Sequence, residues 1–413
     1  MSRLDGILHR LASTRVELKP LGDIAELVRG NGMPKTDLTN EGVGAIHYGE
    51  IYTRYGTWTK NTISFVPPGI AARLARVEPG NIIITNTSEN VEDVGKAVAW
   101  LGEEAIVTGG HATVVRHSEN PKYLSYWFQS ESFFRQKKAL ATGTKVIDVS
   151  ARQLAKVLVP VPTLEVQGEI AGTLDALSEL NAELEVKLME EVWNRRLQYG
   201  HYRDALLSRD ARRTRLGELA EFKYGFTASA AVAGDYRFVR ITDITPSGKL
   251  SPTGAKFVSN SVAARDYLLH SGDLLVARTG ATYGKTLLVS TDEPAVYASF
   301  LIRLRFRESS ILPAFYWHFA QSSLYWSQAK AMVSTGGQPQ FNANVLKLVE
   351  VPVPPIREQE RVVALLDGLD TSQSELTERL LSEQRCRRDQ YEYYRDRLLA
   401  FESYRASAAG AAG

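Results

Sequence analysis

Cysteine is almost missing from this chain: its 413 residues hold one, Cys386. That excludes an internal disulfide framework and a cysteine-cluster zinc site, and it fits a reducing cytoplasm. Long apolar runs are missing too. No stretch approaches the roughly 20 apolar residues needed to cross a bilayer. The opening MSRLDGILHRLASTRVELK reads as a short amphipathic helix over residues 1–20, not as a signal peptide. Charge of one sign is scarce: 49 Lys+Arg against 47 Asp+Glu leave a net +2. Any basic surface must therefore be local. The seven histidines are scattered, and His47, His111 and His117 fall in strand-like segments. No pair of them has the helical i,i+4 spacing of metal ligands. No carboxylate or nucleophile spacing stands out as a catalytic set.

What is present is a duplication. VPVPTLEVQGEI, residues 159–170, is written again as VPVPPIREQERV, residues 351–362, so that Gln167 answers to Gln359 at an offset of 359 − 167 = 192. YRDALL recurs at the same offset as YRDRLL, and LGDIAELVRG near residue 21 recurs as LGELAEFKYG near residue 216. A period this long means two copies of one module rather than a solenoid. Each copy carries hairpin-like β signals, including AIHYGEIY and YRFVRITDI. A Gly-Asn or Gly-Asp turn then leads into a buried strand, PGNIIIT or SGDLLVA. A second strand follows, then one aromatic helix (122–140 and 314–332), a Gly-rich loop and a final strand that stops at prolines. This pattern predicts a mixed α+β module of ordinary domain size.

A long helix should begin after Pro162 and after Pro355, with Glu or Gln in its first turn to suit the helix dipole. Apolar residues then recur at heptad spacing: Ile170, Leu174, Leu177, Leu184 and Leu188, and in the second copy Val362, Leu366, Leu369, Leu376 and Leu380. Asn181 and Gln373 stand at the same seam position, either as tolerated polar sites or as register controls. Roughly 40 residues at 1.5 Å each make a rod of roughly 60 Å. The expected division is a helix over 1–20, modules over 21–162 and 211–354, long helices over 163–210 and 355–405, and a frayed tail over 406–413. Two matched seams can bury each other, and the long connection permits either orientation.

The duplicated "VPVP…EQ" junction, the repeat length and the string ARTGATYGK (residues 277–285) resemble the specificity subunit of type I restriction–modification enzymes. The resemblance covers nearly the whole chain. It implies two target-recognition domains separated by an antiparallel coiled coil, and a bipartite, asymmetric double-stranded DNA target read one half per domain. It implies as partners two DNA adenine methyltransferase subunits and two translocase–endonuclease subunits. Their cofactors would be S-adenosylmethionine and ATP with magnesium, with none bound by this chain. The location would be a prokaryotic cytoplasm. The N-terminal helix would close a roughly circular arrangement near the end of the second long helix. The Asn/Asp-Pro-Pro-aromatic signature of an adenine methyltransferase is absent here, which favours a non-catalytic role. Two other readings stand beside it: a dumbbell-shaped protein scaffold, and the same subunit in a methylation-only defence system.

The two modules agree in framework and differ in the loops, as dissimilar half-sites require. Arg and Lys read guanine, Asn and Gln read adenine, and Lys, Arg, Tyr and backbone N–H groups meet phosphates. On that chemistry the first module offers Tyr52, Arg54, Tyr55, Trp58 and Lys60, then Asn86, Thr87 and Ser88, with Thr144 and Lys145 as a phosphate loop. The second offers Arg278, Thr279, Thr282, Tyr283 and Lys285, then Thr335, Gln338 and Gln340. GATYGKT (residues 280–286) is not a P-loop: three residues separate its glycines where four are required, and a strand pattern follows it.

Overall fold

The structure is a computed structural model that describes residues 3–12, 15–208, 211–290, 293–307, 310–333 and 340–404. Thr335 and Gln338 lie outside the described residues. The chain divides into two compact units, residues 1–187 with 382–413, and residues 188–381. The two long helices, Leu164–Leu207 and Ile356–Leu398, each begin in one unit and end in the other.

The modules share one plan. In the first unit the main sheet orders Ala25–Arg29, Ala112–His117, Ile82–Thr85, Ala97–Trp100 and Trp58–Thr59. In the second it orders Ala220–Tyr224, Leu301–Phe306, Leu274–Ala277 and Thr286–Leu288. The strand period of two sorts their side chains. Ile82 and Ile84 face a core built with the aromatic helices, and Ile83 faces a second layer with Ile46, Val98 and Val114. Leu274 and Val276 divide from Leu275 and Ala277 in the same way. The turns before these strands place Gly80 at φ 90° and Gly272 at φ 89°, backbone that a side chain would strain.

Two local expectations are corrected. The β-prone AIHYGEIY is a strand only to Ile46, and Tyr48–Thr53 is a helix. His47 caps it by accepting from the Gly49 N–H, while the Glu50 carboxylate accepts from the His47 N–H. Each expected single aromatic helix is two helices, Pro121–Trp127 with Glu131–Leu140, and Pro313–Ala320 with Ser323–Met332. Ser130 and Ser322 break them by capping the second helix with their side-chain oxygens.

The matched glutamines fasten each module to its helix. Gln167 is fully buried; its Oε1 accepts from Asn120 N–H (2.9 Å), and its Nε2 donates to Pro162 O (2.8 Å) and Glu119 Oε2 (2.6 Å). Gln359, also fully buried, accepts from Leu312 N–H and donates to Pro354 O and Ser310 O, all at 2.8 Å. Prolines stop the final strand, and a carbonyl freed at each stop is taken up by the glutamine.

Both units set a helix start against a helix end. Ile170, Ala171 and Leu174 share a core with Leu398 and Leu399, and Val362 and Leu366 share one with Leu207. The pair is therefore antiparallel. Ile170, Leu174, Val362 and Leu366 are buried, whereas Leu177, Asn181, Leu184, Leu188, Gln373, Leu376 and Leu380 are half-buried. Leu369, a seam residue by spacing, is 39% exposed. Two helices cannot wrap a seam from all sides where no module covers it.

Carboxylates repeat the same design. Asp396 accepts from the first N–H of Glu131–Leu140, and Asp204 from the first N–H of Ser323–Met332. Asp175 accepts from Trp58 Nε1, Lys122 Nζ and Tyr126 OH. Its counterpart Asp367 bonds the buried His318 at 2.8 Å. Within the first unit Arg15–Pro20 pairs antiparallel with Leu158–Pro160 and parallel with Glu402–Tyr404.

Gln167→Leu or Gln359→Leu should destabilise its own unit by about 1–3 kcal/mol for each buried partner left unpaired. Denaturant unfolding checks this, and unchanged midpoints would contradict it. Burial lowers the His318 pKa below its ordinary 6.5, against the raising effect of Asp367. The imidazole is thus neutral in the fold, and its contribution is complete above about pH 6.5 and falls away as pH drops. Amide protection factors in residues 313–332, corrected for intrinsic exchange, should fall on acidification, and His318→Gln should flatten that dependence. The matching position in the first module is Tyr126, whose phenol pKa burial pushes up, so no imidazole stands at this place in residues 121–140. An unchanged acid response in His318→Gln would refute the assignment.

Candidate nucleic-acid interface

The first module brings part of the predicted set to its surface. Arg54 and Lys60 are exposed, as are Thr144 and Lys145 on the turn made by Gly143 at φ 104°. Tyr52 is half-buried. The Tyr55 hydroxyl accepts from Ile63 N–H (2.8 Å), and burial pushes its pKa up to about 12. Tyr55 holds the 55–63 loop closed more than it reaches outward. Trp58 is tied inward by Asp175 (3.0 Å), with the Lys122 ammonium 4.0 Å from its ring centroid.

Three candidates are corrected. Asn86, Thr87 and Ser88 are buried. Asn86 Nδ2 donates to Val149 O (2.7 Å), and its Oδ1 accepts from Thr113 Oγ1 (2.8 Å). Thr87–Ser88 pairs with Ile147–Asp148, which closes over them. An amide spent on internal bonds in this way has no face left for a base.

In the second module Arg278 is half-buried just past the end of the inner strand Leu274–Ala277, and its Nε donates to Ser299 O (3.0 Å). Thr279 is buried at 4% exposure and bridges to the exposed Gln340, which corrects its assignment as a contact residue. Thr282 Oγ1 donates to Thr279 O (3.3 Å), a turn-stabilising bond. Tyr283 lies edge-on to Trp326, with ring centroids 6.1 Å apart, and Lys285 is half-buried beside it. The strand Thr286–Leu288 follows this loop, so the fold also excludes a P-loop here.

Residues that the spacing argument passed over stand close by. Phe300 is 50% exposed at the start of a strand, and its counterpart His111 is an exposed residue at φ 68°. An apolar residue on a turn between two strands was the available signal. Among the described residues no cluster of three or more His, Cys, Asp or Glu is placed to hold a metal ion, and no helix is long and apolar enough to cross a membrane. The exposed surface offers guanidinium, ammonium, amide and ring groups on loops. Those groups suit binding to base edges and phosphates.

Asn86→Ala should lower the stability of the first unit by about 1–3 kcal/mol, because Thr113 Oγ1 and Val149 O lose their partner. Arg54→Ala should leave stability within about 0.5 kcal/mol. Denaturant unfolding checks both, and the reverse order would place Asn86 at the surface.

Comparison with known proteins agrees with this architecture. The family model for the type I restriction modification DNA specificity domain matches twice, over residues 14–194 and 209–383. A putative type I restriction enzyme specificity subunit of Haemophilus influenzae is 28% identical over 95% of this chain and 97% of its own length. The EcoR124I/EcoR124II specificity subunit of Escherichia coli is 28% identical over 68% of this chain and 70% of its own length. Among solved structures, a chain from a study of type I R-M complex assembly and conformational transition superposes with a TM-score of 0.74. It has 17% identity and covers 94% of this chain and 98% of that one. The HsdS subunit from Thermoanaerobacter tengcongensis superposes at 0.54, with 17% identity over 94% of this chain and 97% of that one. With both modules matched in order over most of its length, this chain belongs to the type I restriction modification DNA specificity family.

Proposed function

We propose that this chain is the sequence-reading subunit of a type I restriction–modification complex. Each module reads one half of a bipartite double-stranded DNA target, and the helix pair sets the gap between the halves. The observation that supports this reading is one repeated frame with dissimilar loops. The framework strands, the glutamine locks and the carboxylate anchors repeat, while the loops at 49–60 and 278–285 do not. A scaffold for two identical partners has no need of that divergence. Arg54, Lys60, Lys145 and Lys285 supply phosphate contacts, and Arg278 and Gln340 address bases.

The chain recruits two DNA adenine methyltransferase subunits through the long helices. Their solvent side supports this: Met189, Trp193 and Leu197, spaced by four residues, are each more than half exposed. Exposed large side chains at that spacing mark a helix face awaiting a partner. Two translocase–endonuclease subunits complete the complex. S-adenosylmethionine serves the methyltransferases and ATP with magnesium the translocases, so the chemistry lies outside this chain.

Single-base methylation mapping of the host genome, with and without the gene, tests the reading. Loss of one bipartite modified-adenine motif is the expected result. An unchanged map with the partner subunits supplied would overturn it in favour of the scaffold.

A further inference from the structure

The two modules carry the same backbone frame at the end of their central strand. Arg278 N–H donates to Phe300 O (3.1 Å), and Arg278 O accepts from Phe341 N–H (2.7 Å). In the first module Asn86 N–H donates to His111 O (2.7 Å), and Asn86 O accepts from Val149 N–H (2.8 Å). The side chains on this shared frame then part company. Asn86 turns inward and is consumed by Val149 and Thr113. Arg278 turns to the surface.

There the guanidinium lies between two aromatic rings, 5.3 Å from the Tyr224 centroid and 5.5 Å from that of Phe300. Both rings are partly exposed, at 42% and 50%. The stack is fixed at its edges. Arg278 Nε donates to Ser299 O, and the Tyr224 hydroxyl accepts from Ala343 N–H (3.0 Å). With Nε spent, Arg278 keeps its two terminal nitrogens, and neither makes a hydrogen bond among the described residues. Stacking orients the fork of a guanidinium and removes much of its rotamer freedom before any ligand arrives.

We propose that Arg278 is a guanine-reading residue of the second module. Its terminal nitrogens meet guanine O6 and N7 in the major groove, and Phe300 lies against the neighbouring base. Tyr224 is a positioning residue that holds the fork. A phosphate would satisfy the charge equally, but an exposed phenyl ring beside the fork suits the apolar edge of a base, such as a thymine methyl, better than a phosphodiester. The position therefore distinguishes the modules: one frame gives a closed, structural Asn86 and an open, reading Arg278. This inference rests on the DNA-reading role proposed above.

The test uses the assembled complex with its methyltransferase subunits and duplexes carrying its mapped target. Each guanine is replaced in turn by 7-deazaguanine, which lacks the N7 acceptor. For the unaltered protein, one such replacement should weaken binding roughly 10-fold or more. In Arg278→Ala that replacement should no longer matter, while the cost at every other guanine persists. Phe300→Ala should relax discrimination only at the adjoining base pair. Three outcomes would overturn the proposal. One is that Arg278→Ala changes nothing. The second is that it weakens all sequences alike, with a salt slope shallower by about one, which marks a phosphate contact. The third is that every 7-deazaguanine penalty survives in Arg278→Ala. Absence of any sequence preference in the unaltered complex would instead remove the DNA-reading role itself.

Discussion

Two buried amides hold this architecture together. Gln167 and Gln359 stand one repeat apart, each fully buried, each bonding the carbonyl of a chain-stopping proline and the backbone ahead of an aromatic helix. A primary amide is the only uncharged side-chain group that offers two donors and an acceptor from one plane. That is what the junction needs: one N–H and two acceptors, the proline carbonyl with the Glu119 carboxylate in one copy and with the Ser310 carbonyl in the other, converge where the strand ends and the long helix starts. An apolar residue of the same size would strand them, and a carboxylate would bring acceptors where donors are needed. Without the lock, the helix start and the module have no fixed relation.

The rest of each unit extends from that point. The first turns of one long helix and the last turns of the other form a common seat, with Asp175 and Asp396 in the first unit and Asp367 and Asp204 in the second. Each module is thus held by residues from both repeats, which couples its stability to the antiparallel pairing. The seat is repeated faithfully, while the surface away from it varies. In the first module the two are joined at one point, where Trp58 of the variable stretch donates to the seat residue Asp175.

Much of this was legible in the residues because duplication and heptad spacing are local signals that survive without a structure. The helix starts after Pro162 and Pro355, the junction glutamines and the Gly80 and Gly272 turns could all be read from pattern. The reading surface was harder. Asn86, Thr87 and Ser88 have the right chemistry for bases, but the Ile147–Asp148 strand, some 60 residues away, closes over them. Phe300 looked like one more apolar residue of a strand. Its exposure depends on a turn whose neighbour, Arg278, arrives from another strand. The helix at Tyr48–Thr53 was hidden by its cap, since His47 replaces the usual Ser or Thr. Only the serines at 130 and 322 announced the breaks in the aromatic helices, inside runs that otherwise read as continuous.

If the modules read DNA through their dissimilar loops, the target touches those loops and not the glutamine junctions. Hydrogen–deuterium exchange of the assembled complex, with and without its target duplex, tests it most directly. Exchange should slow at residues 49–60 in one module and at 278–285 and 299–301 in the other, with no change around Gln167 or Gln359. Protection confined to the long helices and their junctions, with those loops unaffected, would contradict it.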